Sequence, residues 1–135
     1  MTIVITKTIE QTVTIKANPH DVYEALMDSE KHSQFTGPPA DISREIGGSF
    51  TAYGGALSGT TTELIPDAKI VQAWRGSDEG WPPDHYSEAT FALEEVDGET
   101  RLTFVQTGVP EASYEDISQG WQTYYWTKLK AFLES

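Results

Sequence analysis

The residues able to move a proton near neutral pH are His32, Glu63 and Glu88, provided that the fold buries one of them beside a partner. The sequence alone places none of the three in an interior, so no catalytic residue is assigned. Metal chemistry finds even less support. The histidines, His20, His32 and His85, fall in different predicted elements, and neither a His-Glu-x-x-His nor a His-x-His spacing occurs. With no cysteine in the chain, thiolate ligands, cysteine nucleophiles and disulfides are excluded together. No metal or other cofactor is expected. Gly47-Gly48-Ser49-Phe50-Thr51 lacks the final glycine of a nucleophile elbow, so Ser49 reads as a strand residue. Gly54-Gly55-Ala56-Leu57-Ser58-Gly59 has neither the spacing nor the lysine of a phosphate loop, and its glycines read as a turn or bulge. An enzyme of the cyclase or hydrolase type is therefore the last-ranked reading.

The aromatic residues carry more information. Phe35, Phe50, Trp74, Phe91, Phe104, Trp121 and Tyr125 all fall on faces that the hydrophobic pattern turns inward. Such rings either fill the core or line a cavity with apolar walls and a few polar tips. Trp81, in Trp81-Pro82-Pro83 after Asp78 and Glu79, reads either as a lid over such a pocket or as the tack of a surface loop. Together these eight residues are the candidate ligand pocket. Lys128, at the edge of the helix stripe, is expected to bury its stem and keep its charge wet, with a ligand carboxylate as the alternative contact.

Those side chains need elements to hold them. Ile3, Ile5, Ile9, Val13 and Ile15 alternate with mostly polar residues and predict a long half-buried strand, interrupted at Lys7 and Gln11. Asn18-Pro19 predicts a helix start, with Val22, Ala25 and Leu26 on its apolar side. Ser29 is the expected cap of a second short helix running to about Phe35, which Thr36-Gly37-Pro38-Pro39 ends. From Ile42 to Thr107 the punctuation predicts an antiparallel meander, with Gly54-Gly55 and Gly59 flanking a turn and Pro66-Asp67 making another. Asp97-Gly98 between Tyr86–Val96 and Thr100–Thr107 is the clearest hairpin signal, since Asp-Gly tolerates the positive φ of a type I′ turn. Ile117, Trp121, Tyr125, Leu129 and Phe132 then recur at helical spacing and predict a long helix from about Tyr114 to Leu133. Short helices and one long helix on a single face of an antiparallel sheet make an α+β domain.

A chain of 135 residues at this composition suits one domain, spanning 1–135, able to bury its own core. No apolar run reaches the ~20 residues of a membrane span, and the first residues lack a signal-peptide layout, so a soluble cytoplasmic protein is expected. The formal net charge of −12 disfavours nucleic acid, because a polyanion repels phosphates. That acidity serves solubility or a basic partner surface.

Several segments, taken in order, resemble a known family. They are Gly47-Gly48-Ser49-Phe50, then Glu63-Leu64-Ile65-Pro66 followed by Lys69-Ile70-Val71-Gln72-Ala73-Trp74-Arg75. Thr100-Arg101-Leu102-Thr103-Phe104, Gln106-Thr107-Gly108-Val109-Pro110 and Gly120-Trp121 with Tyr124-Tyr125 complete the series. The chain resembles, over almost its whole length, proteins related to the C-terminal domain of the heat-shock protein 90 ATPase activator, within the START-like (SRPBCC) superfamily. That superfamily includes lipid carriers, pollen allergens and polyketide cyclases. The resemblance implies the helix-grip fold, a curved antiparallel sheet wrapped around a long C-terminal helix, and a cavity between them. The eukaryotic activator carries a separate N-terminal domain for which 135 residues leave no room, so a small hydrophobic or amphipathic ligand is the first expectation. A chaperone partner is the alternative.

Overall fold

The computed structural model describes residues 5–77, 81–82 and 84–134. Ile3, Asp78, Glu79 and Pro83, which entered the sequence reading, lie outside the described residues. Seven strands form one antiparallel sheet in the order β1-β7-β6-β5-β4-β3-β2. They are β1 (Thr6–Ile15), β2 (Asp41–Ile42), β3 (Ser49–Ala52), β4 (Leu57–Ile65), β5 (Lys69–Arg75), β6 (Ser87–Val96) and β7 (Glu99–Pro110). β2 to β7 are a meander whose neighbours follow one another in sequence, and β1 returns to pair with β7. Asp97 and Gly98 take φ of 54° and 81°, the left-handed pair that lets β6 turn straight into β7. Two register breaks bend the sheet: Thr107 and Gly108 of β7 together oppose Thr8 of β1, and β4 carries one extra residue, Thr62, between Thr61 and Glu63. The alternation of β1 itself is unbroken, and β1 begins at Thr6. Ile9 and Ile15 are buried, while Ile5, expected on the same face, is 63% exposed.

Helices α1 (Pro19–Met27) and α2 (Ser29–Thr36) follow β1. Asn18 caps α1 by accepting from the Asp21 amide at 2.9 Å, with Pro19 at the first position. The cap of α2 is Asp28 rather than Ser29. Its Oδ1 accepts from the Lys31 amide at 2.9 Å, and the Ser29 hydroxyl is taken up instead by the Ile42 amide at 2.8 Å.

The C-terminal helix is continuous but not uniform. α3 (Tyr114–Gly120) and α4 (Thr127–Glu134) flank a π-helical turn, Trp121–Trp126. Where the backbone bonds to the fifth residue instead of the fourth, one extra residue enters the turn and the side chains rotate. The expected stripe is changed accordingly. Trp121, Tyr125 and Leu129 are buried as their spacing predicts, Ile117 and Phe132 are only partly covered, and Trp126 is buried as well. Trp121 and Trp126 stack with centroids 5.4 Å apart and planes 19° apart, which a regular α-helix forbids for residues five apart because it places them on different sides.

The core lies between the inner sheet face and the helices. Ile70, Phe91, Leu102 and Phe104 meet Leu26 and Met27 of α1, Phe35 of α2, and the buried rings of the C-terminal helix. Gln11, which interrupts the apolar pattern of β1, ties that helix to the sheet. Its Oε1 accepts the Trp126 indole at 2.6 Å and its Nε2 donates to the Ser118 carbonyl at 2.8 Å. Among the described residues no helix is long and apolar enough to cross a membrane.

Candidate functional site

Between the first half of the C-terminal helix and the segment joining β3 to β4, the packing leaves a cavity of about 350 Å³. Trp74 of β5 and Trp121 and Tyr125 of the π-turn form its inner wall, and Leu57 of β4 and Ile117 of α3 form its sides. Tyr53, Ala56, Gly120, Tyr124 and Asp116 complete the lining toward solvent. This size and apolar, aromatic character fall within the range of small-molecule sites.

Two local features build the mouth. Tyr53, Gly54 and Gly55 link β3 to β4 with φ of 52°, 67° and 101°. For a tyrosine the left-handed region is sterically unfavourable, and such residues concentrate at ligand clamps and switches. The sharp reversal aims the Tyr53 ring at the helix, edge-on to Tyr124 at 5.9 Å and to Tyr125 at 5.7 Å. Its hydroxyl donates to the Tyr124 carbonyl at 2.5 Å, joining the β3–β4 turn to the π-turn across the cavity rim. Burial, with Tyr124 nearby, pushes the Tyr53 phenol up to about 12.

The wall is held from behind by polar side chains buried in the core. The Trp121 indole donates to Gln106 Oε1 at 2.8 Å. Gln106 Nε2 donates to Ser87 Oγ at 2.9 Å, and Ser87 donates to the Trp74 carbonyl at 2.8 Å. One chain of bonds thus orients the two tryptophans that face each other at 5.6 Å across the inner wall. Gln106 is fully buried, so every group in that chain needs its partner.

Tyr125 is fixed by His32 of α2. His32 Nδ1 lies 3.1 Å from the Leu26 carbonyl, which can only accept, so Nδ1 carries the hydrogen and Nε2 accepts the Tyr125 hydroxyl at 3.0 Å. Burial holds His32 down at about 4, against a slight opposing pull from the Leu26 carbonyl, and burial with Tyr53 nearby raises Tyr125. The pair is therefore neutral across the physiological range, and a neutral donor–acceptor pair positions a ring rather than transferring a proton.

This arrangement predicts an acid sensitivity. Below pH 6.5 the unfolded chain protonates His32, while in the folded chain His32 resists until about 4. The unfolded state binds more protons across that window, so stability falls as pH falls, by at most about 3 kcal/mol. Urea midpoints at steps from pH 7 to pH 4 should show the decline, and His32→Gln should flatten it. An equally steep decline in the variant would assign the effect to other groups.

The sequence-derived pocket residues separate into groups. Trp74, Trp121 and Tyr125 border the main cavity. Phe50 and Phe91 lie on the far side of that wall, around a gap of about 20 Å³ that they share with His32 and Gln72, room for about one water. Phe104 is fully buried against Trp121 at 4.4 Å, and Phe35 packs on His32, Tyr125 and Phe132. Trp81 does not cover the mouth. It is buried with its ring 5.5 Å from Trp74, and its indole donates to the His85 carbonyl at 2.6 Å, which tacks its loop down. Of the acid–base candidates, Glu63 pairs with Lys69 on the outer surface at 3.0 Å and Glu88 is exposed. Only His32 is interior. Lys128 reaches the Thr36 carbonyl at 3.4 Å, bridging the C-terminal helix to the end of α2. Tyr53, Tyr124, Leu57 and Ile117 were not assigned to the pocket from the sequence. The adjacency of Tyr53 to two glycines was the available signal.

Residues 16–134 match the model of the activator of Hsp90 ATPase homolog 1-like proteins. The chain belongs to that family. Its match to the human activator of 90 kDa heat shock protein ATPase homolog 1 is 33% identical over 117 residues, covering 87% of this chain and 34% of the human protein. The chain thus spans about a third of the curated relatives' length. Among solved structures, an HSP90 activator from Plasmodium falciparum superposes with a TM-score of 0.87 at 22% identity, covering 94% of this chain and 96% of that one. A protein from Chromobacterium violaceum does so with a TM-score of 0.78 at 26% identity, covering 95% and 97%. The helix-grip architecture described above is thus the fold that members of the Hsp90 activator homologue family share with these neighbours.

Proposed function

We propose that this Hsp90 activator homologue binds a small apolar or amphipathic molecule between the C-terminal helix and the sheet. The observation that carries this reading is the open, aromatic-walled cavity of about 350 Å³ at Trp74, Trp121 and Tyr125. A packed core has no use for such a space, and leaving it costs dispersion contacts on every wall. The buried polar bonds behind the wall support the reading further, because they hold two tryptophans and a tyrosine in set orientations before any ligand arrives. No reaction is proposed, since neutral His32 is the interior acid–base group among the described residues and it is engaged on both nitrogens.

The test is an amide NMR titration of labelled protein with fatty acids, sterols and flat aromatic compounds. Saturable shifts at Tyr53, Trp74, Trp121 and Tyr125 are expected from one of these classes. Shifts confined to distant surface residues, or none with any class, would sink the reading.

A second reading rests on the relationship to the human activator of 90 kDa heat shock protein ATPase. In it this chain docks on the corresponding chaperone of its own cell and raises its ATP turnover. The check is steady-state ATPase activity of that chaperone with increasing amounts of this protein. An unchanged rate together with no co-elution would exclude it.

A further inference from the structure

The lining of the cavity carries a charge pattern that says which molecules suit it. Five of its side chains are aromatic, Tyr53, Trp74, Trp121, Tyr124 and Tyr125, and one is ionised, Asp116 at the mouth. No lysine, arginine or histidine borders it among the described residues. Asp116 is exposed in the first turn of α3 and forms no ion pair with any described residue, and Tyr124 beside it is 54% exposed. The chain as a whole carries −12, so the approach to the mouth is through a negative field. An anionic ligand would meet a carboxylate and no countercharge there. A neutral one gains only from burial. A cation gains from Asp116 and from ring faces, whose negative quadrupole attracts ammonium groups.

We propose that the cavity takes an amphipathic cation, its apolar or aromatic body lodged against Trp74 and Trp121 and its ammonium group at the mouth between Asp116 and the Tyr53–Tyr124 pair. This rests on the cavity reading above and adds the sign of the ligand's charge. Fatty acids are disfavoured by it.

The experiment uses three probes with one body and three heads: 4-phenylbutylammonium, 4-phenylbutanol and 4-phenylbutanoate, titrated by amide NMR at low salt. The ammonium probe should bind about fivefold tighter than the alcohol, as an ion pair at a wet rim allows, and the carboxylate should bind weakest. In Asp116→Asn the ratio of ammonium to alcohol affinity should fall to about one, because the amide keeps the size of the exposed side chain and removes its charge. Added salt should erode the same preference. If the alcohol or carboxylate binds as well as the ammonium, or the preference survives Asp116→Asn, the charge assignment is overturned and the cavity reading stands. If none of the three moves the cavity resonances, both fall.

Discussion

Trp121→Ala is expected to destabilise the protein by about 3–5 kcal/mol and to abolish whatever the cavity holds. Truncating a buried tryptophan removes its burial and leaves a void that neighbours only partly fill. Trp121 is 3% exposed, and its ring lies within 6 Å of Trp74, Phe91, Phe104, Tyr125 and Trp126, at 5.6, 5.8, 4.4, 4.6 and 5.4 Å. Its loss also orphans Gln106 Oε1 in the core, at a further cost of about 1 kcal/mol or more. Against a usual total of about 5–15 kcal/mol, the variant sits near the edge of folding. Thermal denaturation should show a fall in Tm of about 10–20 °C. Trp121→Phe keeps most of the ring packing and loses only the indole bond, so it should fold, with a loss of about 1–3 kcal/mol. A Trp121→Ala loss below about 1 kcal/mol would show that the wall collapses freely and that Trp121 does not organise it.

Gly59→Ala should do comparable damage by adding a single methyl group. Gly59 lies inside β4 rather than in the turn that its glycine neighbours suggest, paired with Trp74 of β5. A Cβ built there would fall 1.7 Å from the Ala73 carbonyl oxygen and 2.9 Å from Phe50 Cε1. The first contact is with the backbone of the next strand, which cannot swing aside without breaking the β4–β5 ladder. Overpacking of this kind costs about 3 kcal/mol or more. The strand that must move carries Trp74, so the cavity wall shifts with it. Soluble yield and the urea midpoint of Gly59→Ala report the effect. A midpoint within experimental error of the unaltered protein would show that the sheet gives way at no cost, contrary to the close approach seen.

Much of the fold was legible because local chemistry and tertiary demand agree. Asn18-Pro19 has one sensible use, Asp97-Gly98 has one sensible turn, and the alternation along Phe91, Leu93, Leu102 and Phe104 matches the pleat that buries them. Departures arise at the end of an element and where a single residue breaks the period. Ile5 precedes the first residue of β1, Thr6, and is exposed, and one extra residue in the turn Trp121–Trp126 brings Trp126 inside. Neither shows in a pattern that assumes period two or 3.6 throughout. A polar residue on an inward face was misread for a related reason. Gln11 read as an interruption, and Gln106 only as part of a family segment, yet each receives a tryptophan indole from a helix remote in sequence, Gln11 from Trp126 and Gln106 from Trp121.

The sequence by itself therefore determined the element order, the inward faces and an aromatic-rich interior, since those follow from backbone preference and the burial of apolar surface. Which rings fill the core and which border the cavity was decided only by the tertiary structure. Phe104 and Trp121 are equally apolar and equally inward, and only the curvature of the sheet and the extra residue in the helix put one in the packing and the other at a wall. The same holds for Tyr53. Its place at the mouth depends on a left-handed turn and on a carbonyl in the C-terminal helix, and no local signal couples two segments so far apart in the chain.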